Sequence, residues 1–286
     1  MIYLLLCIIS TTAIMVVFKI AGNMKLDTFR VIVINYFAAA ILGFIIGGLP
    51  DRNAFNADWL HMAVIIGILF IVMFFVIALS TQKAGIAVTS VATKMSVVIP
   101  ITFSLFYFSE EITALKITGI LLALLSVFMT TYNRDKTNKG GIQVVLLPVV
   151  LFLGAGLIDS LIKYTQEAHL VDQNTLLFSS MLFSISALTG LIFSFFRKRR
   201  QEAEKVLHII IAGLILGIVN FASLYGLIMA LETNIFDSSI IFGINNMGIV
   251  VLSVIIALFF FGEKLSTLNK AGIALSIITI IFLSYL

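Results

Sequence analysis

Charged side chains inside long apolar segments are the residues of this sequence with the clearest chemical potential. Lys94 lies in Ala92–Ser96, well inside an apolar stretch that extends over residues 86–108. A charge at the centre of a bilayer costs about 2.5–3.5 kcal/mol on insertion scales, so it needs a partner or a polar surrounding. Lys94 is too far from either end of its segment to reach water by extending its side chain. It therefore predicts either a cation that binds an anionic group in a central cavity or a structural ion pair.

Three further ionisable residues lie inside apolar segments. Asp159 and Lys163 are four residues apart and share one face of a predicted helix. They either neutralise each other or leave Asp159 to exchange protons or partners with Lys94. Lys19 lies about one helical turn from the end of the first segment, so it either reaches the interface or faces the cavity. Asp159, Lys163 and Lys19 are therefore candidates for coupling or for an ion pair.

Amide, hydroxyl and aromatic side chains mark the remaining candidate site. Asn245 and Asn246 fall at nearly the same position in the second half as Thr93 and Lys94 in the first. Buried amides commonly join membrane helices by hydrogen bonds, which is the structural alternative. The predicted substrate-binding residues are Lys94, Thr93, Asn245, Asn246, Asn220, Tyr36 and Tyr225.

The composition defines the elements that must position these residues. Of the 286 residues, 61% are hydrophobic and 11% are charged, whereas a soluble domain is about 25% charged. This excludes soluble enzymes and nucleic-acid binders and predicts an all-α polytopic membrane protein. The ten predicted transmembrane helices are 2–22, 29–49, 60–79, 86–108, 113–132, 143–163, 173–196, 207–230, 237–261 and 268–286.

The two halves of the sequence end alike. Residues 108–112 (FSEEI) match residues 261–265 (FGEKL), and a glycine, Gly119 or Gly272, follows nine residues after the first glutamate of each. Because each half has an odd number of helices, the halves must insert with opposite orientation. The predicted organisation is a five-helix repeat over 1–134, a polar linker over 135–142 and a second five-helix repeat over 143–286.

These features together resemble the drug/metabolite transporter superfamily, and most closely its EamA-type repeat. Pro100 lies ten residues before Glu110, as is frequent in such repeats, whereas Ser253 occupies that position in the second half. The resemblance implies a secondary transporter, an exporter or exchanger of a small metabolite such as an amino acid or organic anion, that works by alternating access. The three histidines lie near the ends of spans and no Gly-rich phosphate loop is present, so the sequence itself predicts no enzyme activity and no cofactor or metal. An exporter of hydrophobic cationic drugs or amines is the alternative, and a non-transporting membrane scaffold is a further one.

The distribution of basic residues predicts the orientation. Connections after the odd-numbered helices are rich in Lys and Arg, including Arg197–Arg200, whereas those after the even-numbered helices hold only Arg52 and Lys116. We call the first set the basic side. The positive-inside rule places it in the cytoplasm and both chain ends outside, although family members often have both ends inside. The expected location is the cell (inner) membrane, with lipid, a small-molecule substrate and a proton or counter-substrate as partners, no nucleic acid, and an open oligomeric state.

Overall fold

The computed structural model describes residues 1–50, 54, 57–107, 113–132, 141–169, 175–196, 205–232 and 238–284. In this part the chain forms helices and no strands. The helices are α1 (Ile2–Asn23), α2 (Thr28–Gly47), α3 (Leu60–Lys83), α4 (Ile86–Met95), α5 (Val98–Tyr107), α6 (Ala114–Thr131), α7 (Gln143–His169), α8 (Thr175–Phe196), α9 (Val206–Glu232), α10 (Ser238–Phe259) and α11 (Thr267–Ser284).

The predicted class of an all-α polytopic membrane protein is confirmed. Within the described residues, nine helical segments are long and apolar enough to cross a membrane, and α4 and α5 together count as one of them. The apolar stretch of the last helix, Thr267–Leu283, is slightly shorter than the others. The protein is therefore a multi-pass membrane protein.

The fourth predicted span, 86–108, is two helices rather than one continuous helix. α4 ends at Met95 and α5 begins at Val98. Pro100 explains the break, because its ring has no N–H to donate to the carbonyl of Ser96 and collides with that carbonyl in a regular helix. The prediction of an unbroken helix was wrong because it weighed hydropathy above this steric effect.

The break changes the surroundings of Lys94. The Ser96 carbonyl accepts the N–H of Ile99 at 2.9 Å, in a tighter turn than an α-helix has. Lys94 consequently lies in the last turn of α4 instead of in the middle of a long helix. The carbonyl end of a helix favours a nearby cation, so the break itself helps to hold a lysine inside the membrane.

The two halves pack across each other. In the first half α1 and α2 pack on α9, and in the second half α7 and α8 pack on α3. Helices α6 and α11, the last of each half, pack together, and α4 contacts α10. If the two halves are exchanged, the contacts of α1 and α2 with α9 become the contacts of α7 and α8 with α3. The contacts between α6 and α11 and between α4 and α10 stay the same, as a two-fold axis requires. The repeat boundaries stay a prediction, and residues 135–140 of the predicted linker lie outside the described residues.

Glycines permit the close helix contacts of this arrangement. A methyl group at Gly217 of α9 would lie 2.8 Å from the Asn35 carbonyl oxygen of α2, and Gly213 faces Ile34 in the same way. On the other face of α2, a methyl group at Gly47 would lie 3.0 Å from Leu176 of α8. Gly213 and Gly217, which are four residues apart on α9, therefore allow close packing between helices of this chain.

We expect Gly217→Ala to lower the unfolding temperature of the detergent-solubilised protein by about 2–10 °C, because the added methyl group forces α9 away from α2. Ile218→Ala is the matched control, since Ile218 is 55% exposed on the outer surface of the same helix. Thermal unfolding followed by tryptophan or dye fluorescence measures both. An unfolding temperature equal to that of the wild type in Gly217→Ala would contradict the close contact.

Candidate functional site

A cavity of about 250 Å³ lies between the two halves. Its walls come from α1, α2, α3 and α4 of the first half and from α7, α8, α9 and α10 of the second. Most of the lining is apolar, with a small number of polar groups, as is usual for small-molecule sites. The lining residues are Cys7, Thr11, Tyr36, Phe70, Met73, Phe74, Ile77, Lys94, Leu151, Ala155, Ile158, Asp159, Phe183, Asn220, Ser223, Leu224, Leu227 and Asn245.

Lys94 is the cation of this cavity. Its side chain is half-buried and makes no hydrogen bond with any residue that the structure describes. The Cys7 thiol and the Asp159 carboxylate lie within electrostatic range of its ammonium group. The described residues offer the Lys94 ammonium group no hydrogen-bond acceptor. An anionic ligand in the cavity would supply that acceptor, so Lys94 is suited to bind one.

Asp159 is the anion of the same cavity. It lies on α7, where its side chain is accessible from the cavity. Lys163, one turn further along α7, is not part of the lining. Lys94, which lies on the neighbouring helix α4 of the other half, is within electrostatic range of the Asp159 carboxylate.

Three of the predicted amide and aromatic residues also line the cavity. Asn220 donates its side-chain amide to the Asn35 side chain at 3.1 Å. The Tyr36 hydroxyl donates to the Phe70 carbonyl at 2.9 Å, which fixes its ring in the wall. Asn245 has a buried side-chain carbonyl oxygen with no hydrogen-bond partner among the described residues, so it can accept a hydrogen bond from a ligand.

Other predicted residues lie away from the lining. The Thr93 hydroxyl donates to the Thr89 carbonyl of its own helix at 2.8 Å. Tyr225 stacks on Phe221, with ring centres 5.8 Å apart. Asn246, like Lys163, is outside the lining. The cavity thus contains Lys94, Asn245, Asn220, Tyr36 and Asp159 from the predicted set.

Sequence reasoning missed three polar lining residues, Cys7, Thr11 and Ser223. The hydroxyl oxygens of Thr11 on α1 and Ser223 on α9 are 2.5 Å apart. The Cys7 sulfur lies 3.9 Å from the Thr11 oxygen and 4.0 Å from the Ser223 oxygen. Serine and threonine are frequent in the other helices of this chain too, so composition alone gave no signal for this cluster.

Lys19 belongs to a different feature, an ion pair near the basic side that we call the latch. Its ammonium donates to Glu263 Oε1 at 2.9 Å and to the Thr81 carbonyl at 3.3 Å. The same carboxylate oxygen accepts the N–H of Ile86, the first residue of α4, at 2.9 Å. The side chain of Glu263 is 5% exposed and that of Lys19 is 17% exposed.

The latch joins the end of α1, the junction of α3 and α4, and the segment after α10. Glu263, the first glutamate of the motif that closes the second half, therefore belongs to a buried ion pair. Lys19 is neither extended into water nor on the lining of the cavity. Glu110, its predicted counterpart in the first half, lies outside the described residues.

The architecture is that of a multi-pass helical protein with a largely apolar cavity between its halves, in which Lys94 and Asp159 are charged. Residues 1–132 match the model of the EamA-like transporter family. The match covers just under half of the chain and confirms the resemblance found in the sequence. The matching family is one of membrane transporters of the drug/metabolite transporter type.

A second similarity extends over nearly the whole chain. A protein of Haemophilus influenzae, described as an uncharacterized protein, is 25% identical over 290 residues. The alignment covers 99% of this chain and 97% of that relative. The relative therefore has the same size and adds no substrate.

Proposed function

We propose that this protein is a secondary transporter of a small apolar amino acid. Lys94 binds the carboxylate of the substrate and Asp159 binds its ammonium group. The observation that carries this proposal is that Lys94, which has no hydrogen-bond partner among the described residues, and Asp159 line one cavity from neighbouring helices of different halves. A zwitterion would neutralise both charges at once.

The energetics favour a ligand with both charges. Each of the two ionised side chains is costly in the membrane interior without a counter-charge. Lys94 and Asp159 partly neutralise each other, so a ligand with a single charge would draw one of them away and leave the other without a counter-charge. Charge-assisted hydrogen bonds are also about twice as strong as neutral ones, so both ends of a zwitterion contribute to affinity.

The size and the walls of the cavity favour a small apolar side chain on the substrate. The volume of about 250 Å³ is below the range of about 300–1,000 Å³ that is typical of drug-sized ligands. Phe70, Met73, Phe74 and Ile77 form an apolar wall next to the charged groups. Leucine is therefore a suitable probe.

Alternating access is the proposed mechanism, with the latch as the barrier on the basic side. The cavity residues Cys7, Leu227 and Asn245 lie toward the end of their helices that is remote from this side, whereas the latch closes the nearer end of α1 and α4. Opening to the basic side must separate Lys19 from Glu263. We propose operation in the cell (inner) membrane, driven by a proton or a counter-substrate.

A second candidate is the export of hydrophobic amines. Asp159 and the aromatic rings of Tyr36, Phe74 and Phe183 favour it, because a cation binds both a carboxylate and an aromatic face. Lys94 opposes it, since its ammonium would repel a cationic substrate.

Transport by purified protein in liposomes tests the proposal with three matched compounds. Leucine carries both charges, leucinamide lacks the carboxylate, and isocaproate lacks the amine. We expect leucine flux with no added partner protein, and weak or no flux of the other two. Flux of leucinamide or ethidium in preference to leucine would support the amine candidate, and no flux of any compound would contradict both.

We expect Asp159→Asn to change selectivity toward isocaproate. The asparagine keeps the shape but cannot neutralise an ammonium group, and a hydrogen bond to a charged group contributes about 1.5–3 kcal/mol. The ratio of leucine to isocaproate affinity should fall by about tenfold or more. Competition of unlabelled compounds against radioactive leucine measures this ratio, and an unchanged ratio would exclude Asp159 from amine binding.

A further inference from the structure

Two hydroxyl groups on the wall of the cavity are arranged differently from most others in this protein. Thr11 on α1 and Ser223 on α9 contact each other at 2.5 Å between their oxygens, and both are only half-buried because they face the cavity. They come from helices of different halves. The contact therefore crosses the interface along which the two halves must move relative to each other.

Most helical serine and threonine hydroxyls in the described residues donate a hydrogen bond to a backbone carbonyl of their own helix. Thr89, Thr130 and Ser180, for example, donate to carbonyl oxygens four residues earlier at 2.7 Å. This is the usual arrangement for these side chains in membrane helices. Thr11 and Ser223 make no such bond, since their hydrogen-bonding contacts are with each other and, weakly, with the Cys7 sulfur.

The number of protons shows what this pair can offer a ligand. Each hydroxyl has one proton to donate and two lone pairs that accept. A hydrogen bond between two hydroxyls uses one proton, so the second hydroxyl still has its proton. The Cys7 sulfur is a weak acceptor at 3.9–4.0 Å and competes poorly for that proton. The pair therefore presents one donor to the cavity.

The position of the pair relative to Lys94 determines what that donor meets. Cys7, which contacts both hydroxyls, is also within electrostatic range of the Lys94 ammonium group. The hydroxyl pair and Lys94 thus line the same part of the cavity from different helices. An ammonium group and a hydroxyl donor that face one space are suited to the two oxygens of a carboxylate.

We propose that Thr11 and Ser223 bind one oxygen of the substrate carboxylate while Lys94 binds the other. This inference rests on the proposed function and adds two binding residues to it. The hydroxyls give the site a directional donor that the flexible ammonium of Lys94 does not supply. Because one hydroxyl comes from each half, a bound carboxylate also connects the halves during transport.

The test measures the affinities of leucine and leucinamide in the Thr11→Val and Ser223→Ala variants. Valine has nearly the shape of threonine and removes only the hydroxyl. We expect the KM for leucine to rise about tenfold or more in each variant, with little change in the maximal rate. The affinity for leucinamide should fall much less, because its neutral carbonyl oxygen accepts a weaker hydrogen bond than a carboxylate oxygen does.

Two further variants separate binding from packing. Thr11→Ser restores the hydroxyl and should bring the KM for leucine back toward the wild-type value. Thr279→Val removes a buried hydroxyl that donates to the Leu275 carbonyl on α11, outside the cavity lining, and should leave the KM unchanged.

The outcomes distinguish the two proposals. A wild-type protein that does not transport leucine contradicts the proposed function itself. Leucine transport that depends on Lys94 but is unchanged in Thr11→Val and Ser223→Ala contradicts the hydroxyl site alone. Equal losses of leucine and leucinamide affinity in these variants also contradict it, because they indicate a general effect on packing.

Discussion

Lys94→Met is expected to reduce leucine transport more than any other single change, with the protein still folded. The substrate carboxylate would lose its counter-charge in a largely apolar cavity, and an unpaired buried charge of this kind costs about 2–5 kcal/mol. The KM should therefore rise by a factor of about 30 to several thousand. The unfolding temperature should stay the same or increase, because the variant no longer holds a cation without a hydrogen-bond partner in the membrane interior.

Radioactive leucine uptake into proteoliposomes, together with thermal unfolding, measures this expectation. Lys270→Met is the matched control, since Lys270 is an exposed lysine near the start of α11 and should tolerate the same change. Wild-type uptake by Lys94→Met would remove Lys94 from the site. A large fall in unfolding temperature would instead assign it a structural role.

Glu263→Gln is expected to open the basic side of the cavity. The substitution keeps the size of the side chain but removes the negative charge that holds Lys19 and the start of α4. Removing one partner of a buried ion pair costs about 3–5 kcal/mol. The substitution therefore destabilises the conformation in which Lys19 and Glu263 are paired. The population should therefore shift toward the conformation that is open to the basic side.

A cysteine at Ile77 reports this shift, because Ile77 lines the cavity and lies on the part of α3 that approaches the latch. In a Cys7→Ser background, a membrane-impermeant thiol reagent on the basic side should react with Ile77→Cys at least tenfold faster when Glu263→Gln is present. Arg30→Gln is the control, since it removes a more exposed ion pair with Asp27 on the same side. Equal reaction rates with and without Glu263→Gln would show that the latch does not control access.

The positions of the helices could be predicted closely from the sequence, because the requirement for apolar side chains in lipid acts on every residue of a span. The break between Met95 and Val98 was the exception. Its cause, Pro100, was visible in the sequence, but a proline in a membrane helix also occurs as a mild kink. Only the packing around α4 decides between a kink and two helices.

The charged part of the candidate site was predictable for an energetic reason. Lys94 and Asp159 lie too deep in apolar segments to be explained by the interface, so a cavity was the natural expectation. Neutral polar side chains have no comparable cost in an apolar segment, so their presence there does not indicate a cavity. Tyr225 and Asn246, which stay predicted binding residues, lie outside the lining, whereas Thr11 was missed, because the rotation of a helix about its axis decides which side chains face inward.

The latch shows a different limit of sequence reasoning. Lys19 and Glu263 were each noticed from their places in the repeat, but they are 244 residues apart in sequence. Nothing local links them. Their pairing depends on how α1 lies against the segment after α10, which follows from the packing of the two halves and not from either half alone.

A structure of the protein with bound leucine tests the central claim most directly. We predict that the leucine carboxylate lies within about 3 Å of Lys94 Nζ and that its ammonium group contacts the Asp159 carboxylate, with the side chain against the wall formed by Phe70 and Phe74. Leucine bound outside the cavity, or bound inside it with the ammonium group facing Lys94, would contradict the proposed site.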